Sequence, residues 1–347
     1  MPIQNLRPLA ATLVISALGV GMFKLLHLPL PFLLGPLFGC LVAALVGVRL
    51  RGAPKLSNLM RTILGVAVGT SITPAIVHRL PDMAGSLALM PLLAMAIGLV
   101  GYPLFRKGFG FDHATAYYSA MPGGLQDMLV FGEEAGGDVR ALSLIHATRV
   151  LVIVSLLPMF FVFILNVDLT RPPGAPLAET SVRDMVLMAF LAVAGWQIAA
   201  RLGLFGASIL GPLILAAIAS LLGLIDHRPP AEAIWAAQFF IGFTVGVKYS
   251  GITLREVRID VFAGLIYSAL SLLVAAAFAG FAIQMGWVPW VEGLLAFSPG
   301  GQAEMAILAI VAGADVAFVV AHHIIRIFIV ILAGPFVERA MRGRLTR

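Results

Sequence analysis

Residues 121–128 read MPGGLQDM and residues 298–305 read SPGGQAEM. Each sets Pro-Gly-Gly three residues ahead of an acid, and each stands in apolar sequence. Proline lacks an amide proton and glycine carries a large backbone entropy, so the triplet breaks a helix. Bare backbone at membrane depth is tolerated only where protein covers it or a watery cavity solvates it. The same break in two matching settings therefore asks for one mechanical reason.

The 347 residues are 60% hydrophobic and 12% charged, with a mean hydropathy of +1.01. Soluble domains are about 25% charged, so the composition predicts an integral membrane protein. The 36 glycines and 21 prolines fit that class. Cys40 is the single cysteine, which excludes an intrachain disulfide framework and a cysteine metal cluster. The formal charge of +6 is not arranged in basic runs with interleaved aromatics, so no nucleic-acid partner is expected. The first apolar stretch, 8–26, has no small-residue cleavage site and reads as a retained span.

A spanning helix needs roughly 20 apolar residues. Candidates are 8–26, 30–48, 57–78, 84–105 and 140–165, then 183–201, 207–224, 233–250, 260–285 and 316–337. Two segments do not fit, 111–134 and 289–312, each a pair of short apolar arms joined at Pro-Gly-Gly. Sliding the chain against itself by 177 residues lays Pro122 on Pro299, Gly123 and Gly124 on Gly300 and Gly301, Asp127 on Glu304 and Met128 on Met305. The same offset lays His146 on His323 and Arg149 on Arg326, and the Gly65/Gly69 pair on Gly242/Gly246. The chain thus reads as a tandem duplication: one membrane repeat over 1–170, an external linker over 171–182 and a second membrane repeat over 183–347.

Five spans plus a re-entrant pair give an odd number of crossings per repeat, which forces the two repeats into opposite orientations. The positive-inside rule agrees. With a cytoplasmic N-terminus, sixteen of the 23 Lys and Arg, Arg347 among them, fall at cytoplasmic ends. The opposite side receives Lys24, Arg79, Arg171, Arg183 and Arg228, and Arg149 and Arg326 stay inside the membrane. The expected fold is therefore all-α, with two inverted-topology repeats of about five transmembrane helices and one re-entrant hairpin each. Both termini face the cytoplasm.

Inversion would bring the two tips together near the midplane, where helices beginning after Pro-Gly-Gly offer free N–H groups and positive dipole ends. Discontinuous helices of this kind build substrate sites in secondary transporters. Candidate binding residues are Pro122, Gly123, Gly124, Asp127 and Arg149 in the first repeat and Ser298, Pro299, Gly300, Gly301, Glu304 and Arg326 in the second. Asp127 and Glu304 read either as first-turn carboxylates that complete a helix start or as carriers of a coupling proton or cation. An intramembrane arginine demands a partner. Arg149 and Arg326 read either as structural partners of Asp127 and Glu304 or as receivers of an anionic substrate. His146 and His323 share a helix face with the arginines and join the candidate proton-coupling groups. The paired Gly-x-x-x-Gly segments suit close helix packing, a sliding surface or a homodimer seam.

Pro-Gly-Gly-x-x-acid-Met in each half, with His-x-x-Arg downstream, resembles the AbrB family of bacterial membrane proteins, defined by a duplicated membrane domain. The resemblance spans almost the whole chain and implies a bacterial inner-membrane location. Members carry transporter or regulator labels, and some an inherited ammonia monooxygenase label. A copper oxygenase needs clustered imidazoles, whereas the seven histidines are scattered. No triad, zinc motif or dinucleotide loop accompanies them, so neither enzyme activity, cofactor nor metal is expected. The leading expectation is a secondary transporter for a small polar or anionic solute, working by alternating access and coupled to a proton or cation. A sensory or regulatory membrane protein is the alternative, with a channel or membrane oxidoreductase behind it. Expected partners are the bilayer, the solute, the coupling ion and a second copy of the chain.

Overall fold

The computed structural model describes residues 6–74, 78, 80–170, 172–204, 206–225 and 227–345. Arg79, Arg171 and Arg347 of the charge asymmetry, and 75–77 of the third expected span, lie outside the described residues. Among the described residues the chain is helices and turns without a strand. The first half holds α1 (Leu6–Leu25), α2 (Pro31–Leu45), α3 (Pro54–Gly69), α4 (Ala84–Pro103), α5 (His113–Ala120), α6 (Leu125–Glu134) and α7 (Val139–Phe163). The second holds α8 (Val182–Arg201), α9 (Ala207–Leu221), α10 (Ala231–Val247), α11 (Phe262–Gln284), α12 (Trp290–Phe297), α13 (Gln302–Ala312) and α14 (Val316–Leu345). Each expected span has its helix, and each irregular segment is a broken pair, α5/α6 and α12/α13. Eight residues at ~1.5 Å rise make α5 about 12 Å long, far short of a ~30 Å hydrocarbon core.

Among the described residues six stretches are long and apolar enough to cross a membrane: Arg7–Leu25, Pro81–Gly108, Val139–Phe163, Val182–Arg201, Leu254–Gln284 and Val316–Gly343. Their surfaces are inside-out relative to a soluble protein. On α1, Val14, Leu18 and Leu25 are exposed while Thr12 and Ser16 are buried, and on α8 Val186 and Phe190 are exposed. Such a surface is solvated by lipid, and the chain is built as a multi-pass membrane protein. Burial also ranks the helices. The apolar windows of α7 and α14 are 61% and 56% buried against 28% for α1 and α8, so the two arginine-bearing helices are interior elements.

The fold divides into two compact units that cut across the sequence halves. The first comprises Met1–Leu80, Ser155–Ile252 and Ala306–Ala317, and so gathers the first three spans of both halves. Within it α1 packs on α2 and α8 on α9, while α2 packs on α10 and α9 on α3, so each half lends its second helix to the third helix of the other. The glycine pairs make this exchange feasible. A Cβ at Gly65 or Gly69 would come closer than 3.0 Å to the Ile209 or Leu213 carbonyl oxygen, and one at Gly242 or Gly246 equally close to that of Leu33 or Leu37. These glycines are therefore consumed in helix packing inside the unit.

The second unit comprises Pro81–Val154, Thr253–Met305 and Phe318–Arg347. Here α4 packs on α11, α4 on α5, α5 on α6 and α11 on α12. Both Pro-Gly-Gly breaks and both arginines belong to it.

The duplication reaches backbone geometry. Left-handed residues recur at an offset of 176, at His27 and Gly203, Leu30 and Gly206, and Gly47 and Gly223. The helix-ending bonds recur with them: Leu28 N donates to the Phe23 carbonyl at 2.9 Å and Leu204 N to the Ala199 carbonyl at 3.0 Å. These are six-to-one closures that normally end on glycine. The second half uses glycine, and the first half bears the same turn on His27 and Leu30.

Candidate functional site

The repeated spelling of the two breaks has a steric cause. A Cβ on Gly123 would strike the Met128 thioether and one on Gly300 that of Met305, and both methionines are fully buried. A Cβ on Gly124 would strike the Asp127 carboxylate and one on Gly301 that of Glu304. The first glycine thus makes room for the methionine and the second for the acid. Helix resumes at once, with Met128 N donating to the Gly124 carbonyl and Met305 N to that of Gly301, each at 3.0 Å. Pro122 and Pro299 are buried behind these starts. The entry to the first pair is fastened by Asp112, which accepts from Thr115 N at 2.9 Å, and Thr115 Oγ1 accepts from Asp138 N at 2.7 Å.

The long interior helices hold the breaks from behind by the same contacts in both halves. Arg149 donates from Nη1 to the Met121 carbonyl at 3.1 Å and from Nη2 to the Gly123 carbonyl at 2.9 Å. Arg326 donates to the Ser298 carbonyl at 2.5 Å and to the Gly300 carbonyl at 2.9 Å. His146 Nε2 lies 3.0 Å from the Tyr118 carbonyl and His323 Nε2 2.9 Å from the Leu295 carbonyl. An imidazole nitrogen facing a carbonyl carries the proton, so each histidine pegs the arm before the break by donating from Nε2. On the other nitrogen the halves differ. His323 Nδ1 lies 3.2 Å from Arg326 Nη2, whereas His146 Nδ1 is buried without a partner among the described residues.

The two readings of the arginines now separate. Their Nη atoms go to main-chain carbonyls uncovered by the breaks, not to the acid of the same half. Both arginines are 1% exposed, and among the described residues the Nε of each is buried without a partner. Arg149 and Arg326 act on each other electrostatically, and Glu304 acts on Arg149, the arginine of the opposite half. Asp127 accepts from its own backbone N–H, the contact of a first-turn carboxylate. Glu304 is 7% exposed and Asp127 half-buried. The structure thus brings all the expected site residues into one unit around two like-built breaks.

Tyr267 escapes the repeat comparison because Met90 stands at its counterpart position. Its hydroxyl donates to the Ala120 carbonyl at 2.7 Å, on the last turn before the first break, and both arginines act on it. The only sequence signal is a tyrosine inside an apolar span. A second polar cluster was equally hidden. Glu338 is 3% exposed and lies 2.6 Å from Arg342 and 3.5 Å from His113. His113 in turn meets the Tyr102 hydroxyl at 2.8 Å, tying α14 to the outer end of the first broken pair. Among the described residues no three of His, Cys, Asp and Glu come together as a metal-holding group.

Sequence comparison sets these contacts in a family. A family model described as "Transition state regulatory protein AbrB" matches residues 32–342. The chain is 29% identical to "Uncharacterized protein YhjN" of Bacillus subtilis (strain 168), over 93% of this chain and 91% of the relative. It is 25% identical to "Putative regulator AbrB" of Escherichia coli (strain K12), over 93% and 92% respectively. With a match that includes both breaks and both His-x-x-Arg pairs, the chain belongs to the AbrB family of membrane proteins.

Proposed function

We propose that the chain is a secondary transporter, not an enzyme, that moves a small anionic solute by alternating access. The observation that carries this reading is the pair of buried guanidiniums, each behind a helix start and each with an unpartnered Nε. Two cations and two helix N-termini face two carboxylates, Asp127 and Glu304, so the site turns positive when either acid takes up a proton, and an anion is what it then holds best. In this reading the two repeats are inverted, the broken pairs are re-entrant and both termini face the cytoplasm of a bacterial inner membrane. The division into units is in line with it: both breaks fall in one unit and the first three spans of each half in the other. Asp127 and Glu304 carry the coupling charge, while His146 and His323 serve as pegs.

Proteoliposome uptake of labelled small carboxylates under an imposed pH gradient tests the reading. Saturable uptake that follows the gradient is expected, with Asp127→Asn and Glu304→Gln weakening its dependence on the gradient. Binding without flux would favour the regulator reading that the name of the Escherichia coli relative suggests. Flux with the same gradient dependence in both variants would refute the coupling role.

A further inference from the structure

The first compact unit contains a cavity of about 490 Å³ that shares no lining residue with the breaks. This is the size of a small-molecule site, ~300–1,000 Å³. Three features give it a chemistry. The Lys24 ammonium stands 4.4 Å over the Phe32 ring. Phe32 stacks on Trp235 with centroids 5.2 Å apart and planes 15° from parallel, so cation, ring and ring form one column along the cavity wall. Gln238, one turn beyond Trp235 on α10, is 2% exposed and lines the same cavity. Among the described residues its carboxamide has no hydrogen-bond partner.

The Gln238 side chain is buried, yet its polar atoms are not sealed off, so a polar group delivered by a ligand in the cavity can bond them. Lys24 has no carboxylate partner among the described residues. The nearby acid, Asp168, is engaged by Thr170, accepting from its N–H at 2.9 Å and its hydroxyl at 2.6 Å. The rest of the wall is mainly apolar, with Leu28, Val162 and Phe163 in it.

We propose that this cavity binds an amphiphilic anion. Lys24 and the Gln238 amide meet a carboxylate or phosphate head, and the Phe32–Trp235 stack and apolar wall take its body. A soluble carboxylate and an anionic lipid headgroup share that chemistry, and the test separates them. The site is independent of the transport reading, because its lining includes neither arginine and no residue of 121–128 or 298–305.

The test uses the full chain in nanodiscs, with Trp196, Trp287 and Trp290 replaced by Phe so that Trp235 is the remaining reporter of the four tryptophans. In neutral lipid, octanoate should change the Trp235 emission saturably. Lys24→Met and Gln238→Leu should each weaken that binding about tenfold, and Lys24→Met should leave octanol binding unchanged. In anionic lipid, a Trp235 emission already shifted, insensitive to octanoate and restored by Lys24→Met, assigns the site to a lipid headgroup. If neither octanoate nor anionic lipid produces a response that depends on Lys24 and Gln238, the proposal is wrong. Because Lys24 is exposed, Lys24→Met should unfold at the parent temperature and keeps the test valid even if Gln238→Leu folds poorly.

Discussion

Arg326→Met probes how the breaks are held. The substitution removes the donors to the Ser298 and Gly300 carbonyls, at 2.5 and 2.9 Å, and both residues are buried. An orphaned buried acceptor costs about 1–3 kcal/mol, so the segment around the break should lose about 2–6 kcal/mol of local stability. Global unfolding is a poor readout, because deleting a buried cation also removes its desolvation penalty of several kcal/mol. Hydrogen exchange is the better one, since it reports opening segment by segment. A loss of ~2 kcal/mol raises the exchange of amides in 298–305 about 30-fold, and larger losses raise it further. The break at 121–128, held by Arg149, should change far less. If exchange in 298–305 matches the parent in a folded variant, the guanidinium does not hold the break and the reasoning fails.

The steric account of the motif predicts that Gly300→Ala costs about 1–3 kcal/mol by overpacking Met305. The cost should shrink when Met305→Ala is added, and a double-mutant cycle in thermal unfolding measures that coupling. His27 holds a left-handed conformation, φ 52°, on an exposed turn whose counterpart is Gly203. His27→Gly should therefore stabilise the chain by about 1 kcal/mol, read as a rise in unfolding temperature. Tyr267→Phe frees the buried Ala120 carbonyl. A local cost of about 1–3 kcal/mol, measured by exchange over 113–121, is expected. Gly242→Val should disrupt the packing of α10 on α2, costing about 1–3 kcal/mol or more, and an unfolding temperature equal to the parent's would contradict that packing.

Much of the fold is legible in the sequence because membrane helices obey one strong rule: every backbone polar group is satisfied within its own segment. Apolar length alone therefore finds the helices, and Pro-Gly-Gly finds the two places where the rule is suspended. The third span, expected at 57–78, differs at its start: α3 begins at Pro54, a favoured first helical residue, and runs to Gly69. The site is legible only in part. Repetition singled out Arg149 and Arg326 but left two partners open for them, and a buried arginine finds hydrogen-bond acceptors in a main chain as readily as in a carboxylate. Carbonyls are invisible to a search by residue type, which is why the two partners the sequence suggests are the acid and a substrate anion, neither of which is what the Nη atoms hold. Tyr267 and the Glu338 cluster carry no repeat and no motif, so nothing along the chain announces them.

The sequence by itself determined the all-helical membrane character, the duplication, the two breaks and the residues that recur around them. Those properties rest on apolar length, on helix-breaking chemistry and on identity at fixed offsets, all of which are local. The tertiary structure decided that the two arginines hold main-chain carbonyls and that the glycine pairs are spent on helix packing. It also decided that the compact units cut across the halves, so that both breaks share one body. These outcomes depend on which helix faces meet, and a linear chain does not carry that information until it is packed.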